Sequence, residues 1–342
     1  MCYVDDPLAA IRGSDADRRL FAAIMVLVWM ALGFKLAFAK GQLGRQVTWI
    51  GGTLHIEALG IRAFVKQSII DDIRSMIRTF LQANLVPKKE LHSFIGKVNH
   101  AAGLLIILRP FMDPLWAAWS STSPVDRPGM IWMKQIRTEL TWFDTFFAGN
   151  GYRIERFFST EAYRRAGTVV EIGTDASPLG LGGWLKVNGD YTQYFATKLT
   201  TADSEKFHTP VGESNGQQVW EALAVLVAVV IWSDTWTQDR IILKVKSDNV
   251  TALTMLTKMR TKPGSPALAM IARELALRLV DLSFPPDAEH VAGVGHVFAD
   301  ALSRIWDPKK GKGYLTPDLH PAMLHATEAA APPRDAHFYR LA

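Results

Sequence analysis

"GTDASPLGLGGWL" (residues 173–185) decides how this chain is read. The run before it, "TVVEI" (168–172), is β-branched and apolar. Together they read as a strand that ends at Asp175, followed by a second strand, "LGGWLKV" (181–187). Asn188-Gly189-Asp190 is a hairpin turn signal, and "YTQYFATKL" (191–199) is the third strand. Outward from there, "WEALAVLVAVVIWSDTW" (220–236) is a strongly apolar helix, and "RIILKVKSDN" (240–249) is a strand ending at Asp248. "VTALTMLTKM" (250–259) and "PALAMIARELALRLV" (266–280) read as helices, "AEHVAGV" (288–294) as a strand, and "HVFADALSRIW" (296–306) as a last helix. The order βββ-α-β-α-α-β-α predicts an α/β layer with a mixed sheet.

Four carboxylates stand at the edges of these apolar elements: Asp175, Glu221, Asp248 and Asp300. An unpaired charge in such a place is expensive. One acid alone reads as a turn residue or a helix-dipole partner. Four acids brought to one sheet edge can hold hard divalent cations through oxygen. Two such ions activate a water and stabilise a leaving oxygen in phosphodiester cleavage.

The 342 residues are 49% hydrophobic and 21% charged, which predicts a globular chain of two or three domains. A net charge of +5 suits a polyanionic partner without requiring one. The single cysteine, Cys2, excludes an internal disulfide framework and a cysteine-based zinc site, and points to a reducing, intracellular setting, cytoplasmic or nuclear rather than secreted.

Upstream of the α/β layer the texture differs. "MCYVDDPL" (1–8) reads as a strand end at Tyr3-Val4 and a turn at Asp5-Asp6-Pro7. "LFAAIMVLVWMAL" (20–32) is shorter than a bilayer crossing and is flanked by Arg18, Arg19 and Lys35, so it predicts a buried helix of a soluble domain, with Ser14 as N-cap and no membrane partner. "VTWIGGTLHI" (47–56) predicts a hairpin. "IRAFVKQSIIDDIRSMIRTFLQAN" (61–84), "PKKELHSFIGKVNHAAGLLIIL" (87–108) and "MIWMKQIRTELTWFDTFFAGN" (130–150) predict three helices. Arg62, Lys66, Arg74, Arg78, Lys88, Lys89 and Lys97 alternate with apolar residues there. They read either as solvated helix faces or as the lining of a duplex-binding groove. From Asp307 onward the mixture of Pro, Ala, Gly and charge predicts a loosely ordered tail.

Residues 168–306 resemble a type 1 ribonuclease H domain, on "GTDASPLGLGGWL", "WEALAVL", "KSDN" and "HVFADALSR". "ADALSR" is closest to the version in retroelement polyproteins. The resemblance implies that Asp175, Glu221, Asp248 and Asp300 bind two magnesium or manganese ions and hydrolyse the RNA strand of an RNA–DNA hybrid. His296 stands where retroelement members usually carry Asn, and the family's mobile histidine has no counterpart in "VAGVG". His296 either orients Asp300 or transfers protons. "YVDD" (3–6) resembles the palm motif of reverse transcriptases, which gives Tyr3, Asp5 and Asp6 as a polymerase remnant. "LGFKLAFAK" resembles the segment whose lysine, here Lys40, lies near the incoming nucleotide. "FIGKVNHAAGLLIILRPFMDPLWAAW" (94–119) resembles thumb and connection helices.

The fold expected is therefore α/β: a ribonuclease H-like domain with a mixed five-stranded sheet, preceded by a partial palm and a helical thumb/connection region. The expected bounds are 1–58 for the palm, 59–150 for the helical region, 151–306 for the ribonuclease H-like domain and 307–342 for the tail. On this resemblance the chain looks like the back half of a longer retroelement polymerase. It lacks the upstream palm acid, so DNA synthesis is not expected of it, and the palm's apolar helix would be poorly covered. Its partners would be an RNA–DNA hybrid and either an intact reverse transcriptase subunit or the missing polymerase half. The alternative is a non-catalytic nucleic-acid-binding relic.

Overall fold

The computed structural model describes residues 2–3, 6–124, 126–149, 154–160, 167–237, 241–261, 265–279, 287–292, 296–308, 323–335 and 337–339. At the start, β1 (Cys2–Tyr3) pairs antiparallel with β2 (Asp6–Pro7), Tyr3 opposite Asp6. Asp6 and Pro7 therefore lie in a strand, not in the turn expected of them. Asp5 lies outside the described residues.

The helix α1 (Asp15–Ala31) begins at Ser14, where a capping box forms: Asp17 N–H donates to Ser14 Oγ at 3.2 Å and Ser14 N–H donates to Asp17 Oδ2 at 2.9 Å. The cap is as expected, but the burial is not. No residue of α1 is buried, and Phe21 and Leu27 are 53% and 63% exposed. From Leu20 to Ala31 the helix is apolar all round, yet every residue of it stays at least partly exposed among the described residues.

The expected hairpin is present as β3 (Gln46–Trp49) and β4 (Gly52–Ile56). Ile50 and Gly51 turn it with φ of 45° and 69°, the left-handed pair that matches strand twist. "GIRAFV" continues the sheet as β5 (Gly60–Val65) instead of starting a helix. Its alternating burial is that of a half-buried strand. The helical layer follows: α2 (Gln67–Leu81), then β6 (Leu85–Pro87), α3 (Lys88–Leu104) and α4 (Asp113–Ser120), then β7 (Met130–Trp132) and α5 (Arg137–Phe147). Ile70, Ile73, Ile77 and Phe80 recur at three- and four-residue spacing along α2 and are buried. They meet Phe94 on α3 and Phe143 on α5 in one core. The fourth strand of the first sheet is β8 (Glu155–Ser159), paired with β5, so these residues join the helical region and not the domain assigned to 151–306.

The second sheet holds β9 (Thr168–Ala176), β10 (Gly180–Val187) and β11 (Asp190–Lys198) as an antiparallel meander. After α6 (Thr201–Phe207) and α7 (Gln217–Ile231), β12 (Ile241–Ser247) enters parallel to β9. Then come α8 (Val250–Lys258), α9 (Pro266–Arg278), β13 (Asp287–His290) parallel to β12, and α10 (Val297–Ser303). The expected mixed sheet is β13-β12-β9-β10-β11. Helix α7 shares a core with Val170, Ile172, Leu181 and Leu185, while α10 crosses β10 at Gly180 and Gly182. Strand alternation puts these two sets on opposite faces.

A sixth strand corrects the expectation of five and of a loose tail. β14 (Thr327–Glu328) pairs parallel with β11. Beyond it Arg334 holds Asp203 with two bonds of 2.8 Å, and the two side chains are 4% and 0% exposed. Phe338 and Tyr339 are buried. An open strand edge and a buried carboxylate both need partners, and this segment supplies them. The two regions are joined where Thr261 donates to Asp113 (2.9 Å) and Arg273 to Glu139 (3.0 Å).

Candidate metal centre

Sheet register builds the centre. β9 and β12 are parallel neighbours with Gly173 opposite Lys246. Asp175, still paired in β9, and Asp248, just past the end of β12, each lie two residues further on, so they stand side by side at one end of the sheet. Helix α7 starts beside that edge and brings Glu221, one turn inside it. Carboxylate oxygens of Asp175, Glu221 and Asp248 all lie within 4.8 Å of one another.

Asp175 and Glu221 are only 5% and 3% exposed. Burial, chiefly, pushes both carboxyls well above their ordinary range. For Asp175 the bond from Ser303 opposes this, and the charges of Asp300 and Asp248 add to it. For Glu221 the charge of Asp175 is the second cause. Gln217 Nε2 donates to Glu221 Oε1 at 2.8 Å and also to the Ala176 carbonyl. Glu221 Oε2 is buried without a hydrogen-bond partner among the described residues. A buried carboxyl oxygen with no donor among the described residues, grouped with two further carboxyls, fits a divalent cation.

Asp300 stands apart from this trio. Its Oδ1 takes the Arg304 guanidinium one turn along α10, although its charge still reaches Asp175. His296 is buried, with Nε2 at 2.9 Å from the Thr174 carbonyl. A carbonyl only accepts, so Nε2 carries the proton and the neutral ring pins the start of α10 to β9 beside Asp175. Burial, above all, holds its pKa down, against the Thr174 bond and the charges of Asp248 and Asp300.

Sequence reasoning passed over three neighbours. Ser303 Oγ donates to Asp175 Oδ2 at 2.6 Å, His290 Nε2 lies 3.0 Å from the Asp248 carbonyl, and Gln217 holds Glu221. Gln217 was findable, since it sits four residues before Glu221 on one helix face. Ser303 lies three residues after Asp300, on the same principle.

The other expected sites are not brought here. The side chains of Tyr3 and Asp6, like all of Asp5, lie outside the described residues. Lys40 ends a short 3-10 turn, Phe38–Lys40, and is exposed. Of the seven cations, Arg62 is held by Glu57 (2.6 Å) and Glu155, Arg74 by Asp144 (3.3 Å) and Lys97 by Asp72, while Lys88 donates to the Ser121 carbonyl. Only Lys66, Arg78 and Lys89 of this set stand exposed outside those contacts. Three of the seven cations are thus paired with acids of the same region.

No family model matches the chain, and no curated protein does. Among solved structures, it is similar to a foamy viral protease–reverse transcriptase in complex with an RNA/DNA hybrid, with 14% identity and a TM-score of 0.37 over 82% of this chain and 34% of that one. The chain thus spans about a third of that viral chain's length. The same viral enzyme with double-stranded DNA matches at 15% identity and a TM-score of 0.33, over 82% of this chain and 52% of that one. Ribonuclease H1 from Halobacterium salinarum matches at 16% identity and a TM-score of 0.28, over 40% of this chain and 95% of that one.

Proposed function

We propose that this chain hydrolyses the RNA strand of RNA–DNA hybrids with the help of divalent cations, magnesium or manganese. The observation that carries the reading is the convergence of Asp175, Glu221 and Asp248 within 4.8 Å, with Glu221 Oε2 buried and unpartnered among the described residues. The choice of substrate rests on the motif resemblance, which names the same residues. Two ions are proposed, with Asp300 joining the three acids once Arg304 releases it.

Asp175, Glu221 and Asp248 would hold the metal, which when bound supplies a more acidic water and charge stabilisation at the leaving oxygen. The protein's own share is placement. Register fixes Asp175 against Asp248, Gln217 fixes one oxygen of Glu221, and His296 fixes β9 to α10. Burial and mutual repulsion raise the carboxyls of Asp175 and Glu221, so cation binding there should release protons and strengthen as pH rises.

The separation of Asp300 from the trio favours the second reading, a non-catalytic module that binds hybrid. A labelled RNA–DNA hybrid separates the two. The full chain should cut it with magnesium or manganese, and Asp248→Asn should not. Binding without cleavage would leave the second reading, and cutting in the presence of chelator would end the first.

A further inference from the structure

We infer that Ser303 is a positioning residue for the candidate metal centre: its hydroxyl fixes the plane of the Asp175 carboxylate and so sets affinity for the divalent cation. The inference rests on the proposed metal-binding role of Asp175. The torsion that turns an Asp carboxylate is soft and broadly populated, so packing alone leaves the oxygens free to rotate. Ser303 Oγ donates to Asp175 Oδ2 at 2.6 Å, a short bond to a carboxyl oxygen. The Asp300 carbonyl lies 3.0 Å from the same hydroxyl, but the hydroxyl has one proton and the carboxylate is the nearer, stronger acceptor. Oδ1 takes no hydrogen bond from the described residues and is left for a cation.

The surroundings are built around this contact. Ser303 is fully buried, so no bulk water replaces it. Ser177 Oγ donates to the Ser303 carbonyl at 2.7 Å and fixes the last turn of α10. Gly182 lies directly opposite Asp175 in the β9–β10 ladder, and a Cβ there would come within 2.4 Å of the Ser303 backbone nitrogen. The missing side chain at Gly182 is what lets α10 approach until a serine, rather than a longer residue, reaches the carboxylate.

The test titrates manganese alone into the full chain, followed by electron paramagnetic resonance, with thermal melting as the control for folding. Ser303→Ala should weaken manganese binding by roughly 10- to 100-fold, the range for partners that orient metal ligands. Ser303→Thr, which keeps the hydroxyl, should stay within about threefold of the parent. In hybrid cleavage the metal needed for half-activation should rise in the alanine variant while KM for hybrid holds. A folded Ser303→Ala that binds manganese within about twofold of the parent overturns the inference. If the alanine variant does not fold, Ser303→Cys takes its place, because a thiol is a weak donor of similar size. Parent-like affinity in that variant overturns the inference equally. A parent chain that binds no manganese overturns both this role and the metal reading. A parent that binds manganese without cutting hybrid overturns only the proposed hydrolysis, and the titration still decides Ser303.

Discussion

Two helices of this chain, α1 and α7, look alike as text and differ completely as structure. "LFAAIMVLVWMA" and "WEALAVLVAVVI" are both almost wholly apolar. In α7 every residue from Trp220 to Val229 is buried, between the second sheet and α9. Residues 214–231 are even long and apolar enough for a bilayer, yet they form a protein core. In α1 nothing is buried. Each large apolar side chain left in water forgoes about 1.5–3 kcal/mol. Apolar composition therefore states a need for cover, and only distant parts of the chain decide whether the need is met.

The largest effect should come from the charge inside the buried helix. Glu221→Gln should slow hybrid cleavage by roughly 10²-fold or more, since loss of a ligand exceeds the usual loss of its supporting partner. Asp17→Asn in α1 should leave the rate unchanged. Single-turnover assays on both variants check this, and equal rates in parent and Glu221→Gln would remove Glu221 from the centre.

Core truncation comes next. Leu223→Ala in α7 should cost about 2–5 kcal/mol in urea unfolding. Leu27→Ala in α1 should stay within about 0.5 kcal/mol. A cost above about 1 kcal/mol at Leu27 would mean that α1 has cover in solution, and the comparison would break.

Acid should move the two helices in opposite directions. Glu221 is pushed up to about 9 and Asp175 to about 7, first by burial. A carboxyl raised on folding favours the folded state while protonated, so this contribution is complete below the unfolded value near 4 and is lost as pH climbs through about 7 to 9. Metal-free protein should therefore melt at lower temperature at pH 9 than at pH 6. Glu221→Gln or added magnesium should flatten that slope. Asp17 is lowered by its bonds to Ser14, so its support for α1 is present above the unfolded value and fades as pH falls below it. Protection of the α1 amides, corrected for the intrinsic pH dependence of exchange, should fall at low pH while that of the sheet rises.

The smallest effect is local. Ser14→Ala should loosen only the first turn of α1, by about 1 kcal/mol, visible in exchange of the Asp17 amide and absent from global melting.

What could be read in the sequence was what short range dictates. Asn188-Gly189 turned β10 into β11 with both residues at positive φ, as such pairs do. The strand-ending acids were legible because alternation and a break mark a strand's end. The register that sets Asp175 beside Asp248 followed from the fold class. What escaped was pairing at long range. "GIRAFV" read as the start of a helix because it runs straight into the helical pattern of α2, and one of its two partner strands, Glu155–Ser159, lies over 90 residues away. Whether the seven cations are solvated faces or a groove could not be read from spacing, because the acids that hold three of them, Glu57 and Glu155 at Arg62, Asp144 at Arg74 and Asp72 at Lys97, meet them only in three dimensions. Ser303 was quoted within its motif, but its use depends on the absent side chain at Gly182.

The segment that closes the β11 edge also sets a schedule. Arg334 follows Asp203 by 131 residues, so a ribosome finishes the meander and α6 well before it makes their fastening. At about 5–20 residues per second, that interval is on the order of ten seconds. Throughout it Asp203 has only its own cap, the Thr200 amide and hydroxyl, each at 2.8 Å. The β11 backbone stays open to any extended peptide nearby, including another nascent copy on the same message. Translation speed across residues 204–334 thus governs how often the edge is closed by its own strap and how often by a neighbour's.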